Sequence, residues 1–242
     1  MQIVEYGKKN QEVIILLHGG GLSWWNYRAE VLLLEQRFHV LIPILDGHAN
    51  SDKEFTSIQD NAKELLQFID ENYNGQVHAI GGLSLGGQIL VELLSIRNDV
   101  CELAVIESAL VLPMPLTGAL IGPSLTMSYG LIKKLWFSKL QFKSLKITSK
   151  LFDDYYRDTC KIKKTDMTGF LKSNANYALN PMISKTKAKT VIAVGSKEQK
   201  KMLQSAKMLN EAIPDSKLLI IGNYYHGELS LNHPDEYVRL FD

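Results

Sequence analysis

Five consecutive apolar positions, residues 13–17, run straight into His18-Gly19-Gly20-Gly21. A strand apolar on both faces belongs inside a parallel sheet covered by helices. Residues 39–44, 77–80, 103–106, 190–194 and 217–221 read as further strands, and residues 2–6 as a short edge strand ahead of them. The segments between them carry helical spacing: residues 24–36, residues 57–72 (Ile58, Ala62, Leu65, Ile69) stopped at Asn74-Gly75, residues 85–97 and residues 200–213. Pro234 marks a last helix start. This alternation predicts an α/β protein with a mostly parallel, doubly wound sheet. Right-handed crossovers would then bring the loops after His18, after Ile44 and around Ser84 to one sheet edge.

The rhythm stops between residues 109 and 189. That stretch contains Pro113, Pro115, Pro123 and Pro181, is helical in pattern and shows no buried strand. We therefore read residues 1–110 and 188–242 as one core domain, and residues 111–187 as a helical cap inserted over the sheet edge. A chain of 242 residues, 45% hydrophobic and 22% charged, is long enough for a core of this kind.

The net charge of +1 argues against a nucleic-acid partner, but it hides an asymmetry. Residues 113–187 hold 12 lysines and Arg157 against Asp153, Asp154, Asp158 and Asp166, a net of +9 that leaves −8 for the remainder. For residues 129–140 one reading is a lid helix with its apolar face toward a pocket and solvated lysines outside. The other is a basic face that attracts anionic substrates or a membrane surface. Cys101 and Cys160 form no C-x-x-C pair, and nothing resembles a metal-ligand cluster, so neither metal nor organic cofactor is expected. Without a basic, apolar leader or an apolar run of about 18 residues, a cytoplasmic location is expected.

The chemistry centres on Gly82-Leu83-Ser84-Leu85-Gly86, which joins a strand pattern to a helix pattern. In that context the glycines allow a sharp, strained turn that lifts the serine hydroxyl to the sheet edge. A serine needs a base, and the base needs an acid to fix its tautomer. His18, His39 and His78 lie in or beside strands and read as structural; His233 precedes a helix; His48 sits in a loop at the right edge and would line the mouth. His226, in the loop after the last strand, is the remaining base. Glu198, after the preceding strand, supplies the acid, with Glu107 at the end of residues 103–106 as the alternative. HGGG could also mark a phosphate loop, but no G-K-[ST] follows it.

The order Ser84, Glu198, His226, together with VIILLHG at residues 13–19, GLSLGG at residues 82–87 and YHG at residues 225–227, resembles the α/β-hydrolase superfamily with a helical cap. The resemblance implies a catalytic triad of these three residues and oxyanion donors at the backbone N–H groups of Gly20 and Leu85. Its acid is most often aspartate, whereas residue 198 is glutamate. The implied activity is a serine hydrolase acting on a small-molecule ester or related acyl substrate. A carbon–carbon lyase on the same triad and a catalytically silent ligand-binding protein are the alternatives. Trp24 and Trp25 either shape the acyl pocket or belong to helix core. The oligomeric state is left open.

Overall fold

The computed structural model, which describes residues 1–242, alternates strands and helices almost throughout. In chain order the strands are β1 (Ile3–Tyr6), β2 (Val13–Leu17), β3 (His39–Pro43), β4 (Val77–Leu83), β5 (Cys101–Glu107), β6 (Lys189–Gly195) and β7 (Ser216–Ile221). The helices are α1 (Arg28–Leu34), α2 (Ile58–Tyr73), α3 (Leu85–Ile96), α4 (Pro115–Ile132), α5 (Leu135–Ser144), α6 (Phe152–Thr159), α7 (Lys164–Asn176), α8 (Lys200–Ala212), α9 (Glu228–Asn232) and α10 (Pro234–Val238). The strands form one seven-stranded sheet in the order β1-β3-β2-β4-β5-β6-β7, parallel except for β1 against β3.

Both faces of this sheet are covered, which is why β2 is buried at every position. Ile14 and Leu16 belong to one apolar cluster, with Val31 and Leu34 of α1 and Tyr237 of α10, whereas Ile15 and Leu17 belong to the cluster on the other face, to which α2, α3 and α8 contribute. Helix α2 shows how local sequence sets an element. The Ser57 Oγ accepts from the Asp60 N–H at 3.0 Å, Ile58, Ala62, Leu65 and Ile69 form the buried stripe, and Asn74 ends the helix in the left-handed region at φ 53°. The expected helix over residues 24–36 splits into a 3-10 turn at Trp24–Tyr27 followed by α1. Trp25 and Tyr27 are drawn fully into the core there, and the Tyr27 hydroxyl donates to the Leu17 carbonyl at 3.1 Å.

The chain leaves β2 toward β3 on one side, then crosses back to β4 on the other. This reversal opens a crevice beyond the carboxyl ends of β2 and β4, where loops diverge and side chains can converge. Between β5 and β6 the chain forms only helical elements, α4 to α7 with short 3-10 turns. They are tied to the sheet-bearing part by buried polar contacts. The Trp25 indole N–H donates to Asp158 Oδ2 at 2.9 Å, the Phe55 N–H donates to Asp166 Oδ1 at 3.0 Å, and Asn174 Nδ2 donates to Gln88 Oε1 at 2.8 Å.

Candidate active site

Ser84 sits between β4 and α3 with φ 53° and ψ −109°, a conformation that side-chain-bearing residues rarely adopt. Its neighbours make the turn fit. A Cβ on Gly82 would stand 2.5 Å from the Gly86 carbonyl oxygen, and one on Gly86 would stand 2.1 Å from the Leu17 carbonyl oxygen. The glycines thus let the start of α3 press against the end of β2. The Ser84 N–H donates to the Glu107 carbonyl at 2.9 Å, anchoring the turn to β5.

Two loops bring the other groups to Ser84. A Cβ on Gly195, at the end of β6, would lie 2.2 Å from the Tyr224 carbonyl oxygen, so the turns after β6 and β7 lie against each other. The first turn carries Glu198 and the second His226. His226 Nε2 is 3.0 Å from Ser84 Oγ, and His226 Nδ1 is 2.8 Å from Glu198 Oε2. The Glu198 side chain is 1% exposed, and its other oxygen accepts from the Gly195 N–H at 2.8 Å and the Ser108 hydroxyl at 2.7 Å. With the carboxylate so held, Nδ1–H of the imidazole donates to it and Nε2 is left to accept the serine proton.

Glu107 is not part of this chain of hydrogen bonds. It is buried beneath it, where Oε1 accepts from the Ser230 N–H at 3.3 Å and Oε2 has no partner. Burial pushes its carboxyl up to about 7. Ser108, the next residue, was not singled out from sequence, yet it holds Glu198, and its Oγ also accepts from the Gly227 N–H at 3.4 Å. Its φ of 54° turns the chain sharply at the end of β5. The only trace in the sequence is a small polar residue at the carboxyl end of a buried strand.

The glycine loop after β2 is fastened on both sides of Gly20. The Gly19 N–H donates to Asn26 Oδ1 at 3.2 Å and the Gly21 N–H to His48 Nε2 at 3.0 Å, while the Gly20 N–H makes no intramolecular hydrogen bond. Leu85 opens α3, where N–H groups have no partner within the helix. These two residues are neighbours: a Cβ on Gly20 would lie 3.6 Å from the Leu85 Cβ. Two buried histidines support the loop from behind. His18 accepts the Leu45 N–H at Nε2 and donates from Nδ1 to the Gly19 carbonyl; His48 donates from Nδ1 to the Asp46 carbonyl. Burial lowers His18 to about 3 and His48 to about 4, so both imidazoles are neutral props at physiological pH.

A cleft of about 230 Å³ opens beside Ser84 and His226, walled by Leu22, Leu145, Ile147 and Leu231, with Lys197 and Gln199 also lining it. His48, expected to line the mouth, does not line this cleft, and neither do Trp24 and Trp25, for which core was the other reading. His48 lies behind the glycine loop, stacked on Phe170 at 4.6 Å between ring centroids. Trp25 is fully buried with its indole N–H committed to Asp158, and Trp24 lies under the Arg28 guanidinium at 4.9 Å. The wall comes instead from Ser144, Leu145 and Ile147, at and just beyond the end of α5.

Comparison with known proteins agrees with this architecture. A model described as the alpha/beta hydrolase family matches residues 14–240. An AB hydrolase superfamily protein of Gibberella zeae is 34% identical over 104 residues; the match covers 40% of this chain and 35% of that relative, about a third of its length. A thermophilic esterase from Thermogutta terrifontis superposes with a TM-score of 0.80 at 14% identity, covering 98% of this chain and 90% of the other. The enol-lactonase of Burkholderia xenovorans LB400 gives a TM-score of 0.78 at 14% identity, covering 98% and 93%. At these identities the two structures speak to the fold alone.

Proposed function

Because the chain belongs to the alpha/beta hydrolase family, we propose that it is a serine hydrolase that cleaves carboxylic esters, or a related acyl substrate, through an acyl-enzyme on Ser84. The observation that supports this reading is the unbroken hydrogen-bond chain from Ser84 Oγ through His226 to Glu198, at 3.0 and 2.8 Å.

In this mechanism Ser84 Oγ attacks the substrate carbonyl carbon while His226 Nε2 takes the hydroxyl proton. Glu198 keeps the imidazole in the required tautomer and stabilises its charged form. The negative charge that gathers on the carbonyl oxygen is met by the N–H groups of Gly20 and Leu85. His226 then returns the proton to the leaving oxygen, the alcohol departs, and the acyl group remains on Ser84. Water enters, gives a proton to His226 and attacks the acyl carbon; the proton passes to Ser84 as the acid leaves. The cleft of about 230 Å³ favours a small acyl or alcohol group beside Ser84.

A panel of p-nitrophenyl esters and thioesters with short and medium acyl chains, run beside Ser84→Ala, tests the reading. We expect turnover of at least one ester, reduced by about 10³-fold or more in the variant. Turnover that survives in Ser84→Ala, or no turnover with any substrate, would overturn it.

A further inference from the structure

Helix α4 is apolar on two opposite sides. Gly118, Leu125 and Ile132, each seven residues apart, are buried, and an added Cβ on Gly118 would stand 2.7 Å from the Asn176 side chain of α7. On the opposite side, at about 100° per residue, Leu116, Leu120, Met127 and Leu131 are exposed, Leu116 to 82% and Met127 to 85%. A helix apolar all round is ordinarily enclosed, and an exposed apolar patch of this kind marks an interaction surface. Helix α5 adds Leu135, Trp136 and Leu140, all exposed. The outer side of residues 129–140 therefore carries exposed apolar side chains as well as solvated lysines.

Charge narrows what covers this surface. Between Ser108 and Phe152 there is no aspartate or glutamate, whereas six lysines lie between Lys133 and Lys150, all of them exposed. Apolar side chains with an indole, interleaved with lysines on a segment that itself carries no carboxylate, match the interface of an anionic bilayer, where acyl chains lie beneath phosphate headgroups. No helix is long and apolar enough to cross a membrane, so the match is to a surface and not to a span.

We infer that the outer side of α4 and α5 docks this protein on an anionic phospholipid surface. Leu145 and Ile147, which follow α5, wall the cleft beside Ser84, so docking would hold that cleft at the membrane interface. The inference goes beyond the hydrolase reading and does not depend on it.

The test is sedimentation of the full chain with vesicles, using Ser84→Ala so that binding is read without any reaction. Binding to vesicles of equal phosphatidylglycerol and phosphatidylcholine is expected, with much weaker binding to phosphatidylcholine alone. Lys133→Gln/Lys134→Gln should lower binding to the anionic vesicles roughly 30-fold, and Leu120→Ser/Met127→Ser by roughly 10-fold or more. All four residues are exposed, so unchanged circular dichroism spectra serve as the folding control. Failure to bind anionic vesicles, or binding unaffected by both double variants, would overturn the inference. So would a dimer seen by light scattering that Leu120→Ser/Met127→Ser dissolves while vesicle binding is absent, since the patch would then close on a second copy.

Discussion

Replacing Glu107 by glutamine should stabilise the protein above neutral pH and leave its stability nearly unchanged in mild acid. The Glu107 side chain is buried at the end of β5, and burial is the main reason its carboxyl rises from 4.5 to about 7. The hydrogen bonds from Ser230 oppose that rise, and the charge of Glu198 reinforces it. The folded protein therefore keeps this proton up to about pH 7, while the unfolded chain releases it from about pH 4.5. Across that window the unfolded state holds fewer protons, so stability falls as pH rises, and the loss is complete above the folded value. At about 1.4 kcal/mol per pH unit, the displacement corresponds to about 3 kcal/mol. Glutamine keeps an acceptor for the Ser230 N–H but cannot ionise. Urea unfolding of both proteins at pH 5 and pH 8 reads the effect. The variant should gain up to about 3 kcal/mol over the parent at pH 8 and far less at pH 5. A difference that is the same at both pH values, or a variant less stable at pH 8, would mean that Glu107 does not keep its proton to about pH 7 in the folded protein.

If the proposed hydrolysis holds, the same variant should keep near-parental turnover, because Glu107 makes no hydrogen bond to His226. By contrast, Glu198→Ala should lower kcat by about 10³- to 10⁴-fold, and a steady-state assay that finds Glu198→Ala active and Glu107→Gln inactive would transfer the acid's role. Gly86→Ala would bring a Cβ to 2.1 Å from the Leu17 carbonyl oxygen. It should cost about 3 kcal/mol or more in urea unfolding, and an unchanged midpoint would contradict the packing described for α3 against β2.

The sheet was legible because its central strands are apolar on both faces, so β2 through β6 stand out as short runs between amphipathic helices. Ser84, Glu198 and His226 were legible for a related reason: each follows a recognisable strand, and parallel topology sends those loops to one edge. Ser108 and Asn26 were not. Their roles rest on a backbone φ of 54° and on a hydrogen bond to Gly19, neither of which leaves a periodic mark. Helix α9 has five residues, too few for a helical repeat to show. Trp25 was left between two readings because an aromatic after a glycine loop fits a pocket wall as well as it fits core, and only the Asp158 carboxylate 133 positions away decides its direction. The helices between β5 and β6 were hardest, since α4 carries apolar residues on both its buried and its exposed side.

In the proposed mechanism His226 makes the Ser84 hydroxyl nucleophilic. Intact-mass and peptide-level mass spectrometry after treatment with a fluorophosphonate probe tests it most directly. One phosphonyl group per chain is expected, carried by the peptide containing Ser84, lost in Ser84→Ala and formed far more slowly in His226→Ala. Modification at another residue, or labelling of Ser84 at an undiminished rate without His226, would contradict it.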